Sequence, residues 1–288
     1  MNWEETIEYI RTKPEYTKLV QDAYFDPVLR NNVERFKKGD EYNETLRLLK
    51  KHAPNAKKIL DIGCGNGIST LALALEGYQM TAVEPDPSDT IGAGAIRLLK
   101  EEYQLDNIEI YESFAEDIQF PTNSFDIVYI RQAMHHANDL TKFISECGRV
   151  LKQGGLLLTI RDHVIFNDTD KKWFLESHPL HKFYGGENAF TADEYKKAMT
   201  DAGLEVSLEL KYYDSVINYF PMTEKEYLSK PAIQEAELKE HLKGKIGLLA
   251  DFPFIFSLYK IKVGFNVTNL KDEKRVPGRM YSYVAIKK

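Results

Sequence analysis

Short apolar runs alternate with amphipathic stretches along the middle of the chain, and this alternation predicts a parallel sheet with helices on both faces. The runs are too short for helices, and short apolar runs of this kind are typical of central strands buried on both sides. They predict strands at 58–62, 79–84, 107–112, 125–130 and 155–161. The amphipathic stretches predict helices near 67–76, 91–103 and 139–151.

The same alternation continues after residue 190. Thr191 and Glu194 have the spacing of a capping box, in which each side chain accepts a hydrogen bond from the other residue's backbone amide. The helix that begins there is expected to end at Gly203, because glycine readily adopts the left-handed conformation that terminates helices. Two more strands are predicted, at about 205–213 and 280–287.

Three segments lie outside this alternating pattern. We expect them to flank or cover a core that the alternating strands and helices form. Residues 1–50 are predicted to form an N-terminal helical cover, and the core occupies 51–213 and 280–288, with a long connection at 163–190 inside it. Residues 214–279 form an insertion rich in tyrosine and phenylalanine that is too long for a plain loop. Ligands of open α/β sheets bind beyond the carboxyl ends of the strands, so we expect the covers to form a lid there.

Composition narrows the class of protein. The chain has 288 residues, 43% of them hydrophobic, which is enough for one large domain with insertions. A net charge of −6 argues against binding to nucleic acid, and no apolar run has the length of a membrane span. Cys64 and Cys147 lack the spacing of a zinc site or a disulfide framework, and the first residues do not resemble a signal peptide, so we expect a cytoplasmic protein. A homo-oligomer is left open, because no sequence feature supports one.

The strongest chemical signal is a glycine-rich turn directly after the first predicted strand. Gly63, Gly65 and Gly67 form this turn, and Glu84 ends the second predicted strand. Glycines let a ligand approach the backbone closely, and a carboxylate at the end of the second strand can accept hydrogen bonds from a ribose diol. The arrangement therefore predicts a nucleoside site.

Two residues discriminate between nucleosides. A dinucleotide fingerprint requires a third glycine where this chain has Ile68, so a nicotinamide-dependent dehydrogenase is disfavoured. Asp61 lies two residues before the first glycine, where its charge would repel a pyrophosphate and attract an α-ammonium group. The turn thus favours a cationic nucleoside without phosphate, and S-adenosylmethionine has these features.

In these motifs the chain resembles the small-molecule branch of the class I S-adenosylmethionine-dependent methyltransferase superfamily, with a core like that of ubiquinone and menaquinone methyltransferases. The resemblance covers about residues 57–203 and the last strand. It implies an α/β fold with a Rossmann-like seven-stranded mixed sheet, whose last strand inserts antiparallel beside the fifth, and helices on both faces. The matching motifs lie, in the family's order, at 59–67, Glu84, 115–126, 131–136 and 149–155.

The resemblance also implies which residues bind the cofactor, S-adenosylmethionine, or its product S-adenosylhomocysteine. Phe114 departs from the family, which commonly has an aspartate there for the adenine amino group, so adenine is expected to meet backbone groups and apolar surface. Arg131 has two interpretations, a cofactor contact or a structural ion pair. The expected cofactor-binding residues are Asp61, Gly63, Cys64, Gly65, Glu84, Pro85, Phe114, Ala115, Glu116 and Arg131.

Candidate catalytic residues follow the fourth strand, where the resemblance places the acceptor opposite the methyl group. His135 and His136 are candidates for a general base, because a neutral imidazole accepts a proton near neutral pH. The alternative for either is packing or a hydrogen bond to the backbone. His163, His178 and His181 are weaker candidates, and they form no recognisable metal-ligand spacing, so no metal is expected.

The functional prediction is the transfer of a methyl group from S-adenosylmethionine to a small or medium-sized organic acceptor, by in-line displacement at an oxygen, nitrogen or carbon atom. Tyr24 and Tyr184 are candidates for lining the acceptor site or closing over it, with plain packing as the alternative. The competing hypothesis is a protein that binds S-adenosylmethionine or S-adenosylhomocysteine without turnover, as a sensor or partner subunit.

Overall fold

The structure, a computed structural model, describes residues 1–265 and 272–288. The chain divides into two units, one made of Met1–Asn218 with Pro277–Lys288 and the other of Tyr219–Val276. The helices of the first fifty residues belong to the first unit, together with the sheet. The expectation that residues 214–279 form a lid stays a prediction.

A mixed sheet forms the centre of the first unit. Its strands are β1 (Lys58–Ile62), β2 (Gln79–Val83), β3 (Ile108–Tyr111), β4 (Phe125–Arg131), β5 (Leu151–Ile165), β6 (Phe190–Thr191), β7 (Leu204–Leu210) and β8 (Met280–Lys287). The order is β3-β2-β1-β4-β5-β8-β7, and the short β6 pairs with the end of β5. Strands β1 to β5 pair in parallel, whereas β8 is antiparallel to both β5 and β7. The predicted fold class is therefore confirmed, with β6 as an additional short strand.

Helices connect the strands and precede them. In the first unit they are α1 (Trp3–Arg11), α2 (Thr17–Asp22), α3 (Leu29–Lys38), α4 (Asp40–His52), α5 (Ile68–Leu75), α6 (Ala93–Glu102), α7 (Leu140–Val150), α8 (Asp168–Ser177), α9 (His181–Tyr184) and α10 (Ala192–Asp201). Near and beyond the boundary of the units follow α11 (Val216–Tyr219), α12 (Glu224–Ile246) and α13 (Pro253–Lys262). Single 3₁₀ turns lie at Pro14–Tyr16, Met134–His136, Gly247–Asp251 and Glu273–Arg275.

The predicted start and end of α10 are confirmed. The Thr191 hydroxyl accepts a hydrogen bond from the Glu194 amide at 3.2 Å, and the Glu194 carboxylate accepts one from the Thr191 amide at 2.7 Å. Gly203 has a φ of 77°, in the left-handed region, directly after the helix. The side chain of Asp139 caps α7 in a similar way, by accepting from the Lys142 amide at 2.9 Å.

Strand β5 is longer than predicted, and the segment after it is more ordered. The apolar pattern indicated a strand over 155–161, but β5 extends over Leu151–Ile165. Its last third contains Arg161, Asp162 and His163, which are polar and nevertheless buried, so the apolar pattern breaks although the strand continues. The predicted connection at 163–190 holds α8 and α9.

Strand order determines where a ligand can bind. β1 lies between β2 and β4, and Ile62 is level with Val83 on one side and Ile130 on the other. Because these strands are parallel, their carboxyl ends meet at one edge of the sheet. Gly63, Glu84 and Arg131, which end or directly follow these strands, therefore lie at that edge.

The second unit has a small core of its own. Leu242 of α12, Ala250 of the Gly247–Asp251 turn and Phe256 of α13 are buried against one another. Within the described residues of the whole chain, no helix combines the length and the apolar character that crossing a membrane requires.

Candidate active site

The glycine turn after β1 is built from left-handed residues. Gly63, Gly65 and Gly67 have φ values of 63°, 54° and 79°. A Cβ atom on Gly63 would lie 2.4 Å from the Cβ of Ala133, so this glycine also allows the turn to pack against the segment after β4. A Cβ on Gly65 would meet only the Ile91 carbonyl oxygen, at 3.7 Å, which leaves open space beside this residue. Space next to a tight turn is what a close-lying ligand requires.

Asp61 is a fully buried carboxylate beneath this turn. Its Oδ2 atom accepts hydrogen bonds from the Ser69 hydroxyl at 3.0 Å and the Thr70 hydroxyl at 2.7 Å, both in the first turn of α5. Its Oδ1 atom is buried and has no hydrogen-bond partner. Burial raises the pKa of Asp61 to about 6. The free oxygen is available to an ammonium group or to a bridging water.

Glu84 is held rigidly at the end of β2. Its Oε2 atom accepts from the Gly65 amide at 2.7 Å, and its Oε1 atom accepts from the Asp86 amide at 3.0 Å. Burial raises the pKa of Glu84 to about 7. Each carboxylate oxygen has two lone pairs, so the fixed group can still accept hydrogen bonds from a diol. Pro85, which follows it, is exposed.

Cys64 has no feature of a nucleophile. It is buried, its thiol lies 3.6 Å from the Val83 carbonyl oxygen, and burial raises its pKa well above the usual range. A thiol that stays protonated is unreactive. Cys64 is therefore not a candidate nucleophile, and contact of its backbone with the cofactor stays a prediction.

The segment expected to meet adenine lies after β3. Phe114 is 62% exposed, which leaves its ring free to cover an aromatic base. Ala115 and Glu116 are half-buried, and the Glu116 carboxylate accepts from the Asn138 amide at 3.0 Å. That bond ties the segment to the start of α7, so the side chain of Glu116 has a structural role and its backbone is the part that remains for a ligand.

Arg131, at the end of β4, is engaged by the protein itself. Its Nε atom donates to Oε1 of Glu41 at 2.6 Å, and a terminal nitrogen donates to Oε2 at 3.1 Å. Glu41 is a fully buried residue of α4. The geometry therefore supports the interpretation of Arg131 as part of a structural ion pair. It does not support the predicted contact with the cofactor.

Tyr24 lies beside the glycine turn, and its ring packs against neighbouring side chains. The Asn66 side chain donates to the Tyr24 carbonyl oxygen at 2.8 Å, and Tyr24 itself has a left-handed φ of 60°. Its buried ring packs edge-on against Phe36 and lies over the Arg131 guanidinium. Asn66 was not predicted as a site residue, and its position inside the turn was the only sequence signal for it.

The two histidines after β4 have opposite environments. His135 is buried, with its amide and Nδ1 atom 3.1 and 3.0 Å from Oδ1 of Asp162, and with Nε2 3.5 Å from Oε2 of Glu187. Burial disfavours its charged form, but these two carboxylates outweigh burial and raise the pKa of His135 to about 9. In the ligand-free protein His135 is therefore mostly protonated at neutral pH and is a poor base.

His136 remains a candidate base. It is exposed, yet desolvation by the surrounding groups and the charge on His135 lower its pKa to about 4. Its Nδ1 atom lies 3.0 Å from the Gly186 carbonyl oxygen, which can only accept, so Nδ1 carries the proton. The Nε2 atom of the neutral ring then has a free lone pair.

Tyr184 packs within the first unit instead of pointing freely into a pocket. Its ring contacts Trp3 with 4.6 Å between the centroids, and its hydroxyl donates to Oε1 of Glu187. Burial and the negative charge of Glu187 raise the pKa of Tyr184. The hydroxyl thus fixes the Glu187 carboxylate in place.

Glu187 joins several histidines in one group, which we call the histidine–glutamate cluster: His135, Asp162, His163, His178 and Glu187. Single ligand atoms of His135, His163 and Glu187 all lie within 4.8 Å of one another. Although burial opposes ionisation, His135 and His178 lower the pKa of Glu187. Sequence spacing did not indicate this group, because its members are spread irregularly over residues 135–187.

The comparisons with known proteins agree on one family. A family model described as a methyltransferase domain matches residues 60–159. An uncharacterized methyltransferase of Bacillus subtilis, YcgJ, is 36% identical over 37% of this chain and 40% of its own length. A ubiquinone biosynthesis O-methyltransferase of Xanthomonas oryzae is 33% identical over 35% of this chain and 41% of its own length. The chain thus matches about two fifths of the length of these curated relatives.

Solved structures extend the likeness in fold to most of the chain. The geranyl diphosphate C-methyltransferase of Streptomyces coelicolor superposes with a TM-score of 0.56 over 91% of this chain and 85% of its own, at 18% identity. Identity this low supports the shared fold alone. The domain match and the two relatives identify a methyltransferase domain over residues 60–159, and the solved structure supports the methyltransferase fold around it.

Proposed function

We propose that this protein transfers the methyl group of S-adenosylmethionine to a small or medium-sized organic acceptor. The observation that carries the proposal is the buried Oδ1 atom of Asp61, which has no partner beneath a left-handed glycine turn. A buried carboxylate oxygen in that position favours a cationic ligand without phosphate. Glu84, fixed by two backbone amides, supplies the acceptor for the ribose hydroxyls.

The roles of the remaining residues follow from their positions. Gly63 and Gly65 let the cofactor approach the backbone, Cys64 offers its amide, and Pro85 with Phe114 provides apolar surface for adenine. Ala115 and Glu116 offer backbone groups to the adenine ring.

Methyl transfer needs the acceptor atom in line with the methyl–sulfur bond and in contact with the methyl carbon. The protein contributes mainly by holding both reactants and excluding water. The acceptor atom forms a bond to the methyl carbon while the carbon–sulfur bond breaks, and its electron pair remains on sulfur. Nε2 of His136 is positioned after β4 to take a proton from an acceptor that carries one.

The relatives do not identify the atom that accepts the methyl group in this protein. One is named as an O-methyltransferase, and a structural neighbour is named as a C-methyltransferase. The same cofactor site thus serves different acceptors, and the activity of the whole chain has to be measured. The alternative, binding of S-adenosylmethionine without turnover, predicts the same affinity for cofactor and no methylated product.

The first test measures ligand binding by calorimetry. Asp61→Asn removes the charge with little change of shape, so affinity for S-adenosylmethionine and S-adenosylhomocysteine should fall about 10- to 100-fold. Affinity for methylthioadenosine, which lacks the amino acid, should change little. Tight binding of NAD with no binding of the adenosyl ligands would overturn the assignment, as would equal losses for all three adenosyl ligands.

Turnover is tested with methyl-labelled S-adenosylmethionine and a metabolite extract, followed by mass spectrometry of labelled products. A labelled small molecule that disappears with Asp61→Asn supports the enzyme. Cofactor binding without any labelled product supports the alternative.

A further inference from the structure

The histidine–glutamate cluster lies where the acceptor of the proposed reaction would bind. His135 follows β4, His163 is near the end of β5, and Glu187 precedes β6, which pairs with the end of β5. β4 and β5 are neighbouring parallel strands, and their carboxyl ends form the edge at which open α/β sheets bind ligands. His135 and His163 are buried, and the Glu187 side chain is only 6% exposed.

Both histidines are oriented through Nδ1. In His135 this atom lies 3.0 Å from Oδ1 of Asp162, and in His163 it lies 2.6 Å from the Gly278 carbonyl oxygen. A carboxylate and a carbonyl oxygen can only accept, so Nδ1 is the protonated nitrogen of each neutral ring. Nε2 of His163 then has a free lone pair, and Nε2 of His135 gains one when a metal ion displaces its proton. A second hydrogen bond that fixes the tautomer in this way is the usual support of a metal-binding histidine.

Glu187 supplies a buried oxygen that faces His135. Its Oε1 atom accepts from the Tyr184 hydroxyl, whereas its Oε2 atom is buried and makes no direct hydrogen bond. Nε2 of His135 lies 3.5 Å from this oxygen, at the distance of an ion pair. A divalent cation between the carboxylate and the two imidazoles would take the place of the proton on His135 as the positive charge that compensates the buried carboxylate.

We propose that His135, His163 and Glu187 bind one divalent transition-metal ion. Two imidazoles and one carboxylate are the donor set of zinc and of non-haem iron(II), whereas Mg²⁺ and Ca²⁺ prefer oxygen donors. Tetrahedral ligand atoms at Zn²⁺ lie about 3.4 Å apart. The three ligand atoms now lie up to 4.8 Å apart, so they must move closer together to bind the ion. Glu187 can move because it follows two glycines, Gly185 and Gly186, which make the backbone before it flexible. The proposal replaces the expectation of a metal-free protein.

A role for the ion rests on the proposed methyl transfer, and it narrows the acceptor to one with a hydroxyl group. Three protein ligands leave coordination positions open, and a divalent ion lowers the pKa of a hydroxyl that it binds. If a hydroxyl group bound the ion, its proton would pass to water, its oxygen would bond to the methyl carbon, and the carbon–sulfur electron pair would remain on sulfur.

Metal binding is tested separately from turnover. The full chain is purified, stripped with a chelator, and titrated with Zn²⁺, with Co²⁺ as a spectroscopic probe and with Mg²⁺ as a control. We expect one Zn²⁺ per chain by elemental mass spectrometry and no Mg²⁺ at equal concentration. In Glu187→Gln and His163→Gln the affinity for Zn²⁺ should fall at least about 100-fold. His52→Gln, a histidine of α4 outside the cluster, should bind as the wild type does.

Binding of S-adenosylhomocysteine shows that each variant is folded, because the proposed site of that ligand, at Asp61 and Glu84, does not include the cluster. Wild-type protein that binds S-adenosylhomocysteine but no Zn²⁺ or Co²⁺ overturns the metal site, as does unchanged Zn²⁺ affinity in Glu187→Gln. Zn²⁺ binding without any methylated product leaves the metal site standing and contradicts the methyl transfer. A labelled product that carries the methyl group on an atom other than a former hydroxyl oxygen contradicts the hydroxyl acceptor. That result leaves the metal site and the methyl transfer unaffected.

Discussion

At the scale of single residues, the partners of the buried charges differ between the two candidate ligand sites and the structural ion pair. Asp61 has a buried oxygen without a hydrogen bond, and the buried Oε2 atom of Glu187 lies 3.5 Å from Nε2 of His135, whereas the Arg131 guanidinium is paired with Glu41. A buried carboxylate oxygen beside an open glycine turn, as at Asp61, is a candidate for contact with a ligand.

Glu84 gives a testable dependence of stability on pH. Its carboxyl ionises near 4.5 in the unfolded chain and near 7 in the ligand-free folded protein. Between these values the folded state binds the proton and the unfolded state does not, so stability falls as pH rises through this window. Glu84→Gln removes this loss and should raise the free energy of unfolding by about 1–3 kcal/mol at pH 8, with little change at pH 4.

Urea denaturation at both pH values measures this effect. The same variant should bind S-adenosylhomocysteine at least about tenfold more weakly, because the amide has one oxygen where the carboxylate has two. Equal stability differences at pH 4 and pH 8 would contradict the raised pKa.

At the scale of elements, the ion pair of Arg131 and Glu41 connects the end of β4 to α4. Glu41 is fully buried, and it also lies 3.8 Å from Arg161 of β5. Removal of one partner from a buried pair leaves an uncompensated charge, which typically costs 3–5 kcal/mol. Glu41→Gln should therefore lower the free energy of unfolding by about 3–5 kcal/mol.

Glu146→Gln is the matched control, since Glu146 pairs with Arg149 on the partly exposed surface of α7. Loss of this exposed ion pair should lower the free energy of unfolding by about 1 kcal/mol or less. Calorimetry of Arg131→Gln completes the test, because a structural pair predicts a lower stability with little change in affinity for S-adenosylmethionine. A large loss of that affinity in folded protein would restore the cofactor contact.

Sequence patterns predicted the strands well where a run of apolar residues alone defined them. Strands β1, β2 and β4 lie within a residue of their predicted bounds, because each is a short, mainly apolar run that ends at a glycine or a charged residue. The end of β5 was missed because Arg161, Asp162 and His163 are buried polar residues, which only tertiary partners make tolerable. The candidate cofactor residues lie in short sequence motifs, so they could be predicted from the sequence. The histidine–glutamate cluster could not, because its residues are distant in sequence and come together only in the folded sheet.

At the scale of the whole molecule, the two units have cores of very different size. The first contains the eight-stranded sheet and its flanking helices, and the second is centred on Leu242, Ala250 and Phe256. A unit with few buried apolar side chains opens at a lower free energy than one with many.

We expect native-state hydrogen exchange, followed by mass spectrometry, to show faster exchange in α12 and α13 than in β1 and β4. Phe256→Ala should accelerate exchange in the second unit and leave that of β4 unchanged. Its matched control is Phe143→Ala, which truncates a buried ring of α7 in the first unit. Simultaneous exchange of both units in the wild type would show that they open together.

The position of β8 in the sheet has a consequence for synthesis of the protein. Residues 280–287 pair with β5 on one side and with β7 on the other, so β7 is joined to the sheet only through them. While the chain leaves the ribosome, β5 and β7 are complete long before β8 has been made, and each has an unpaired edge during that time. Open strand edges associate with other chains. Newly made molecules are therefore most exposed to aggregation, and most dependent on chaperones, during translation of residues 211–279.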